Sequence, residues 1–198
     1  MSNSSITMPT LDTPTAIAMG NARFRDPALA STARGRGDLA AWREAFTQDR
    51  AREVAASADG EFAVGINDAS GRTFLAVGRF AVHSLCYRII DGRLHFGPRA
   101  DDLARLPPRA EIDPQAIYDY LYFHVIPSPR TIFKGVYRLP AAHCALFENG
   151  QLTVQPYWVP QFVEPARPDF GRLADQFRER VRTAVADCLD GSKPACFL

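Results

Sequence analysis

Side chains able to do acid–base, nucleophilic or metal chemistry are few and scattered in this chain. Its four histidines, His83, His95, His124 and His143, never fall at the H-x-x-x-H spacing that sets two imidazoles on one helical face. No metal site is expected from them. The four cysteines, Cys86, Cys144, Cys188 and Cys196, lack C-x-x-C spacing and are too few for a disulfide framework. They read as reduced, mostly buried thiols. Asp101 and Asp102 read as carboxylates that cap a helix start and face water, not as an acid–base pair. Gly35-Arg36-Gly37-Asp38 reads as a loop before a helix cap. His83, beside a turn, reads as a hydrogen-bonded surface histidine. His143 is expected to position a turn after Leu139-Pro140. His124 closes the aromatic run from Tyr118 and is expected to pack at a domain interface. No catalytic residue is assigned on spacing alone.

Composition narrows the function classes. A formal net charge of +1 over 198 residues leaves no basic excess for phosphate neutralisation, so general nucleic-acid binding has no electrostatic support. No apolar run reaches the ~20 residues that span a bilayer, and the N-terminus lacks the pattern of a secretory signal. A cytoplasmic protein with neither membrane nor nucleic-acid partner is expected.

The elements that must position any site follow from patterning. Residues 1–15, rich in Ser, Thr and Pro, read as a flexible leader. Asp38 opens an amphipathic helix carrying Leu39, Trp42 and Phe46 at helical spacing. Three hairpins follow. Residues 61–66 and 72–77 are joined by a turn-rich link, residues 85–90 and 93–96 by Asp91-Gly92, and residues 144–147 and 151–155 by Glu148-Asn149-Gly150. Between the second and third, Asp113-Pro114 starts a helix with Ile117, Tyr120 and Leu121 on its buried face. Residues 156–168 hold four prolines and read as a linker. Asp169 then caps the longest helix, whose stripe from Phe170 through Phe177 and Val181 to Leu189 is expected to be core. Gly191 ends it, and residues 194–198 begin a buried strand. The pattern reads as an antiparallel β domain followed by the first helix and strand of an α/β domain, with the chain cut mid-strand.

Five strings, in order, resemble the asparagine synthetase family. Gly60-Glu61-Phe62-Ala63 is similar to its G-D-F-A strand, and residues 79–87 to R-F-G-V-R-P-L-Y-Y. Thr131-Ile132-Phe133-Lys134-Gly135-Val136, with Leu139-Pro140 and His143, resembles T-I-F-x-G-I-x-x-L-P-P-G-H. Tyr157-Trp158 matches the closing Y-W, and residues 195–198 resemble the strand entering the S-G-G-x-D-S pyrophosphate loop. The resemblance implies an Ntn-hydrolase-like antiparallel β sandwich with flanking helices, class α+β. The start of an α/β ATP-pyrophosphatase-type domain would follow. The implied divisions are 1–15, 16–160 and 161–198. It implies that the parent enzyme uses ATP and Mg2+ to turn a carboxylate into an acyl adenylate, which ammonia or another amine attacks. Phe197 and Leu198 are the nucleotide-approaching residues it implies.

The chain departs from that family at its other end. A glutaminase needs cysteine directly after the initiator methionine, with its own α-amine as base; here the position holds Ser2. The R-L-S/A-I-x-D, N-G-E and G-S-D segments are not found either. Glutaminase activity is therefore expected to be absent. The pattern resembles family relatives, such as lasso-peptide cyclases and β-lactam synthetases, that activate a carboxylate for a different nucleophile. Two alternatives stay open. One is a non-catalytic glutaminase-like module that holds a peptide or carrier substrate for a separate synthetase. The other is an Ntn-type hydrolase using Ser2. An exposed face on the 169–189 helix would favour homodimers or aggregates.

Overall fold

The computed structural model of this protein describes residues 15–163, 167 and 169–189. It divides into two units, Met1–Val159 and Pro160–Leu198. In the first, β1 (Ala16–Arg23) leads into three helices, α1 (Pro27–Arg36), α2 (Asp38–Thr47) and α3 (Ala51–Ser57). Then come β2 (Asp59–Asn67), β3 (Thr73–Val77), β4 (Cys86–Ile90) and β5 (Arg93–Gly97). Helices α4 (Ala100–Arg105) and α5 (Pro114–Phe123) precede β6 (Tyr137–Arg138), β7 (His143–Glu148) and β8 (Gln151–Pro156). The unit is α+β with antiparallel sheets: five strands in the order β1-β2-β3-β7-β8, and three in the order β5-β4-β6.

Strict alternation along the central strands sorts their side chains into layers. Phe62, Val64, Ile66, Phe74, Ala76 and Cys144 face α1–α3, packing on Leu29, Trp42, Phe46 and Val54. Trp42 sits between Phe24 and Phe62, each with ring centroids 5.1 Å away. Their neighbours Ala63, Leu75, Val77, Ala145 and Phe147 face the second sheet, meeting Leu85, Tyr87, Leu94 and Phe96. The far side of that sheet is covered at Cys86 by Leu103, Ala104 and Leu106. The layers therefore run helix, sheet, sheet, helix.

The three expected hairpins are present. Asp91 and Gly92 have φ of 48° and 72°, Asn149 and Gly150 of 51° and 75°, the left-handed pairs that tight turns require. Asp113 caps α5 by accepting from the Gln115 amide at 3.0 Å. Other expectations are corrected. Ile117, Tyr120 and Leu121 are exposed, and Ala116 alone of α5 is buried. The periodic stripe exists, but none of the surrounding layers reaches it. Arg99, not an aspartate, occupies the N-cap of α4; Asp101 and Asp102 instead pair with Arg99 and Arg105, which lie within reach along the helix. Gly35 and Arg36 finish α1, so the presumed loop is a one-residue junction at Gly37, φ 86°. His124 is exposed and is the left-handed C-cap of α5, φ 57°.

Sequence patterning gave no sign of β1, α1 or α3. It also missed Arg88, a buried arginine in β4. Its guanidinium donates to the carbonyls of Leu103 (3.0 Å), Leu106 (2.9 Å) and Pro108, fixing the segment that covers the second sheet.

In the second unit, α6 (Phe170–Asp187) is capped by Asp169, which accepts from the Arg172 amide at 3.1 Å. Phe170, Leu173, Phe177, Val181 and Val185 are all exposed, so the stripe is not core. It is the unit's sole regular element among the described residues, and an apolar stripe is buried only where another element supplies a matching face. The leader up to residue 14, with Ser2, and the ending with Gly191, Cys196, Phe197 and Leu198 lie outside the described residues. Among the described residues, no helix is long and apolar enough to cross a membrane.

Candidate functional site

Parts of four of the five family-like strings lie at one end of the five-stranded sheet: Phe62 of the first, Arg79 and Phe80 of the second, His143 of the third and Tyr157-Trp158 of the fourth. The first is Gly60-Glu61-Phe62-Ala63 in β2, whose partner β1 comes unusually close. A Cβ on Gly60 (φ 85°) would lie 2.3 Å from the Asn21 carbonyl oxygen, and one on Gly20 (φ 84°) 2.1 Å from that of Glu61. Both positions therefore require glycine.

Backbone hydrogen bonds then link Phe62 to Tyr157 through Gly78 and Ala142, which flank the second and third strings. Gly78 donates its amide to Phe62 at 2.7 Å, Ala142 to Gly78 at 3.0 Å, and Tyr157 to Ala142 at 2.9 Å. The Tyr157 hydroxyl donates to the Val77 carbonyl at 2.6 Å. Burial pushes the Tyr157 phenol up to about 12, so it serves as a donor throughout the physiological range.

Charge at this end centres on Asp59. Arg25 binds it at 2.9 Å and Arg79 at 3.1 Å, and these bonds, the Arg25 bond first, hold its carboxyl below the usual carboxylate range. Arg79 also donates to the Ala56 carbonyl at 3.4 Å and lies 5.8 Å from the Trp158 ring centroid. Phe80 meets the same ring edge-on at 6.3 Å. The Arg-Phe and Tyr-Trp strings thus form one contact.

The individual candidates separate clearly. His83 is half-buried with its imidazole against Gly20, where a Cβ would come within 2.8 Å of Nε2; no hydrogen bond to its ring occurs among the described residues. His143 does position its turn, with Nδ1 2.7 Å from the Ala141 carbonyl oxygen. Burial pushes the Cys86 and Cys144 thiols up, away from thiolate chemistry. Among the described residues no cluster of three histidines, cysteines or carboxylates could hold a metal ion. Ser2, Phe197 and Leu198 cannot be placed against this end, since they lie outside the described residues.

Asp38, read from the sequence as opening a helix, also makes a bond at the same end that patterning did not foresee. The Asp38 carboxylate accepts from the Ala22 amide at 3.0 Å, pinning the start of α2 to β1. Its signal was present as an acidic residue in the first turn of a helix, but its partner strand was not recognised.

A family profile described as "Glutamine amidotransferase domain" matches residues 28–158. Asparagine synthetase [glutamine-hydrolyzing] 1 of Bacillus subtilis (strain 168) is 24% identical over 107 residues, covering 54% of this chain and 17% of that protein. A solved glutamine phosphoribosylpyrophosphate amidotransferase from B. subtilis, complexed with ADP and GMP, aligns with a TM-score of 0.41 and 8% identity. That alignment covers 73% of this chain and 30% of the other. The chain thus spans 17% of the length of its curated relative.

Proposed function

The chain belongs to the glutamine amidotransferase domain family and is a distant homologue of asparagine synthetase, and from that premise we propose that it is the glutaminase-like part of a longer, ATP-dependent amide-forming enzyme. In this reading the parent protein activates a carboxylate and joins it to ammonia or another amine, while the domain itself does not hydrolyse glutamine. The observation that carries the reading is the bonded path from Phe62 through Gly78 and Ala142 to Tyr157, with Arg79 and Phe80 packed on Trp158, at the end where parts of the family-like strings lie. It preserves the scaffold, while the R-L-S/A-I-x-D, N-G-E and G-S-D segments are not found in the sequence. The helix–sheet–sheet–helix order fits an Ntn-hydrolase sandwich.

In this reading ATP and magnesium belong to the rest of the longer protein. No metal-holding cluster exists among the described residues, and Asp59, the acid at the motif end, is already taken by Arg25 and Arg79. No step is assigned to these residues through either group; their role is to shape and close the scaffold.

The test uses the full-length protein. Glutamate release from glutamine is expected at background, while carboxylate-dependent exchange of pyrophosphate into ATP is expected above it. Glutamate release that Ser2→Ala abolishes would overturn the loss of hydrolysis. Absence of exchange with every carboxylate tried, in a coding sequence lacking Ser-Gly-Gly-x-Asp-Ser beyond Leu198, would overturn the amide-forming assignment.

A further inference from the structure

Strand β8 is an edge that is neither enclosed nor guarded. Among the described residues it pairs only with β7. The Tyr157 amide donates to the Ala142 carbonyl, so the bonded pairs of this antiparallel ladder are Cys144 with Gln155, Leu146 with Thr153 and Glu148 with Gln151. Leu152 and Val154 fall at the alternate positions, where both turn their N–H and C=O groups away from β7 to the open side of the sheet. Open edges are commonly guarded by charges, bulges or internal prolines. The opposite edge is: Gly20 interrupts β1 at a φ of 84°, and Arg23 ends it. By contrast β8 carries no charge, and its proline stands only at the last position. Nor does it resemble an enclosed strand such as β3, whose five residues are all buried. Gln151 and Thr153 of β8 face water. The strand thus has the uncharged edge of one that is paired and the polar outer face of one that is not, and a partner that comes and goes accounts for both.

We propose that the open edge of β8 docks an extended peptide as an added strand, and that this peptide is a substrate of the amide-forming parent enzyme, an assignment of substrate class that rests on that reading. The edge supplies four main-chain groups, the N–H and C=O of Leu152 and of Val154, at the spacing an extended backbone matches. Selectivity comes from the side chains. Leu152 points toward the second sheet and lines a slot of about 350 Å³ with Tyr87, Ile89, Pro129, Gly135 and Tyr137. An added strand sets every second side chain on that face, so the slot receives a large apolar residue flanked by polar ones. The chain's own continuation leaves in the other direction. The Tyr157 hydroxyl bonds to Val77 of β3, and Trp158 meets Phe80, so the residues after β8 are drawn across β7 and away from the open edge.

Amide hydrogen exchange on the full-length protein tests this. Alone, it is expected to exchange the Leu152 and Val154 amides rapidly while those of Thr153 and Gln155, bonded to β7, stay protected. The probe is an acetylated and amidated peptide in which threonine alternates with phenylalanine and valine; a shuffled peptide with its apolar residues adjacent is the control. Binding of the alternating probe should protect Leu152 and Val154. Val154→Pro removes an outward N–H that β7 does not use and should weaken binding about tenfold or more. Val154→Lys, which keeps the backbone and charges the edge, gives the same readout should the proline variant lose protection at Thr153 and Gln155. Protection of Leu152 and Val154 before any peptide is added shows the edge filled by the parent's own chain and overturns the proposal. So does a probe that does not bind, a shuffled peptide that binds equally well, or binding that both variants leave intact. Pyrophosphate exchange is read separately. Its failure removes the enzyme reading and leaves the edge as a peptide site, whereas failure of the probe leaves exchange unchanged.

Discussion

Helices α2 and α5 are both ten residues long, and both carry apolar side chains at helical spacing. Their fates are opposite. In α2, Ala41, Trp42, Ala45 and Phe46 are buried beneath the five-stranded sheet, and Phe46 stacks on Phe74 at 6.0 Å. In α5 only Ala116 is buried, and the aromatic residues face outward. What separates them is not the stripe but the opposing surface. The α2 stripe meets Phe62, Val64 and Phe74, a sheet face with alternation that delivers matching side chains. Periodicity reports that a face wants covering; the long-range topology decides whether the same chain covers it.

Substitutions can break or sharpen this contrast. The largest effect is expected from Trp42→Ala, which empties the space between Phe24 and Phe62. It should cost about 3–5 kcal/mol of unfolding free energy by chemical denaturation. Gly60→Ala forces a Cβ into the Asn21 carbonyl at a positive φ. A loss of about 2–3 kcal/mol is expected, showing that the strand supporting α2 is as demanding as its core. Tyr157→Phe removes the hydroxyl that satisfies Val77 and should cost about 1–2 kcal/mol.

Asp59→Asn is expected to be milder, about 1 kcal/mol at neutral pH, because its ion pairs are partly solvated. Its sign depends on pH. The folded-state carboxyl lies below its ordinary value, so its contribution is full above the ordinary carboxylate range and is lost as pH falls through the depressed folded value. Wild type and variant should therefore converge in acid, and a difference that persists at low pH would assign the effect to packing. At the small end, Leu121→Ala on α5 should change monomer stability by less than ~0.5 kcal/mol. A loss as large as that of Trp42→Ala would erase the distinction between the two helices.

Local chemistry explains which elements the sequence revealed. Asp91-Gly92 and Asn149-Gly150 announce their hairpins because the φ values they adopt are ones few other residue pairs accept. Asp113 and Asp169 announce their helices through side chains that bond to amides two or three residues on. Strand β1 had no such marker. Its sequence is rich in small residues, and its extended form depends on β2, forty residues away, through the Gly20 and Gly60 approach. Arg88 was hidden for a related reason. A charged residue inside an apolar run reads as outward-facing until three carbonyls from a later segment are seen to surround it. The motif strings were legible one by one. Their assembly into a hydrogen-bonded end was not, since each bond joins segments that the sequence separates.

The place of β3 carries a consequence for how the chain is made. All five of its residues are buried, and it lies between β2, which directly precedes it, and β7, which begins at His143. During synthesis at about 5–20 residues per second, one side of β3 stays unpaired for several seconds until β7 leaves the ribosome. The Tyr157 bond to Val77, across 80 residues, closes later still. A nascent chain halted between residues 80 and 140 would display an apolar strand with a free edge, a species that chaperones bind and that aggregates when they do not. Ribosome pausing in that window should therefore lower the yield of soluble protein more than pausing after Trp158.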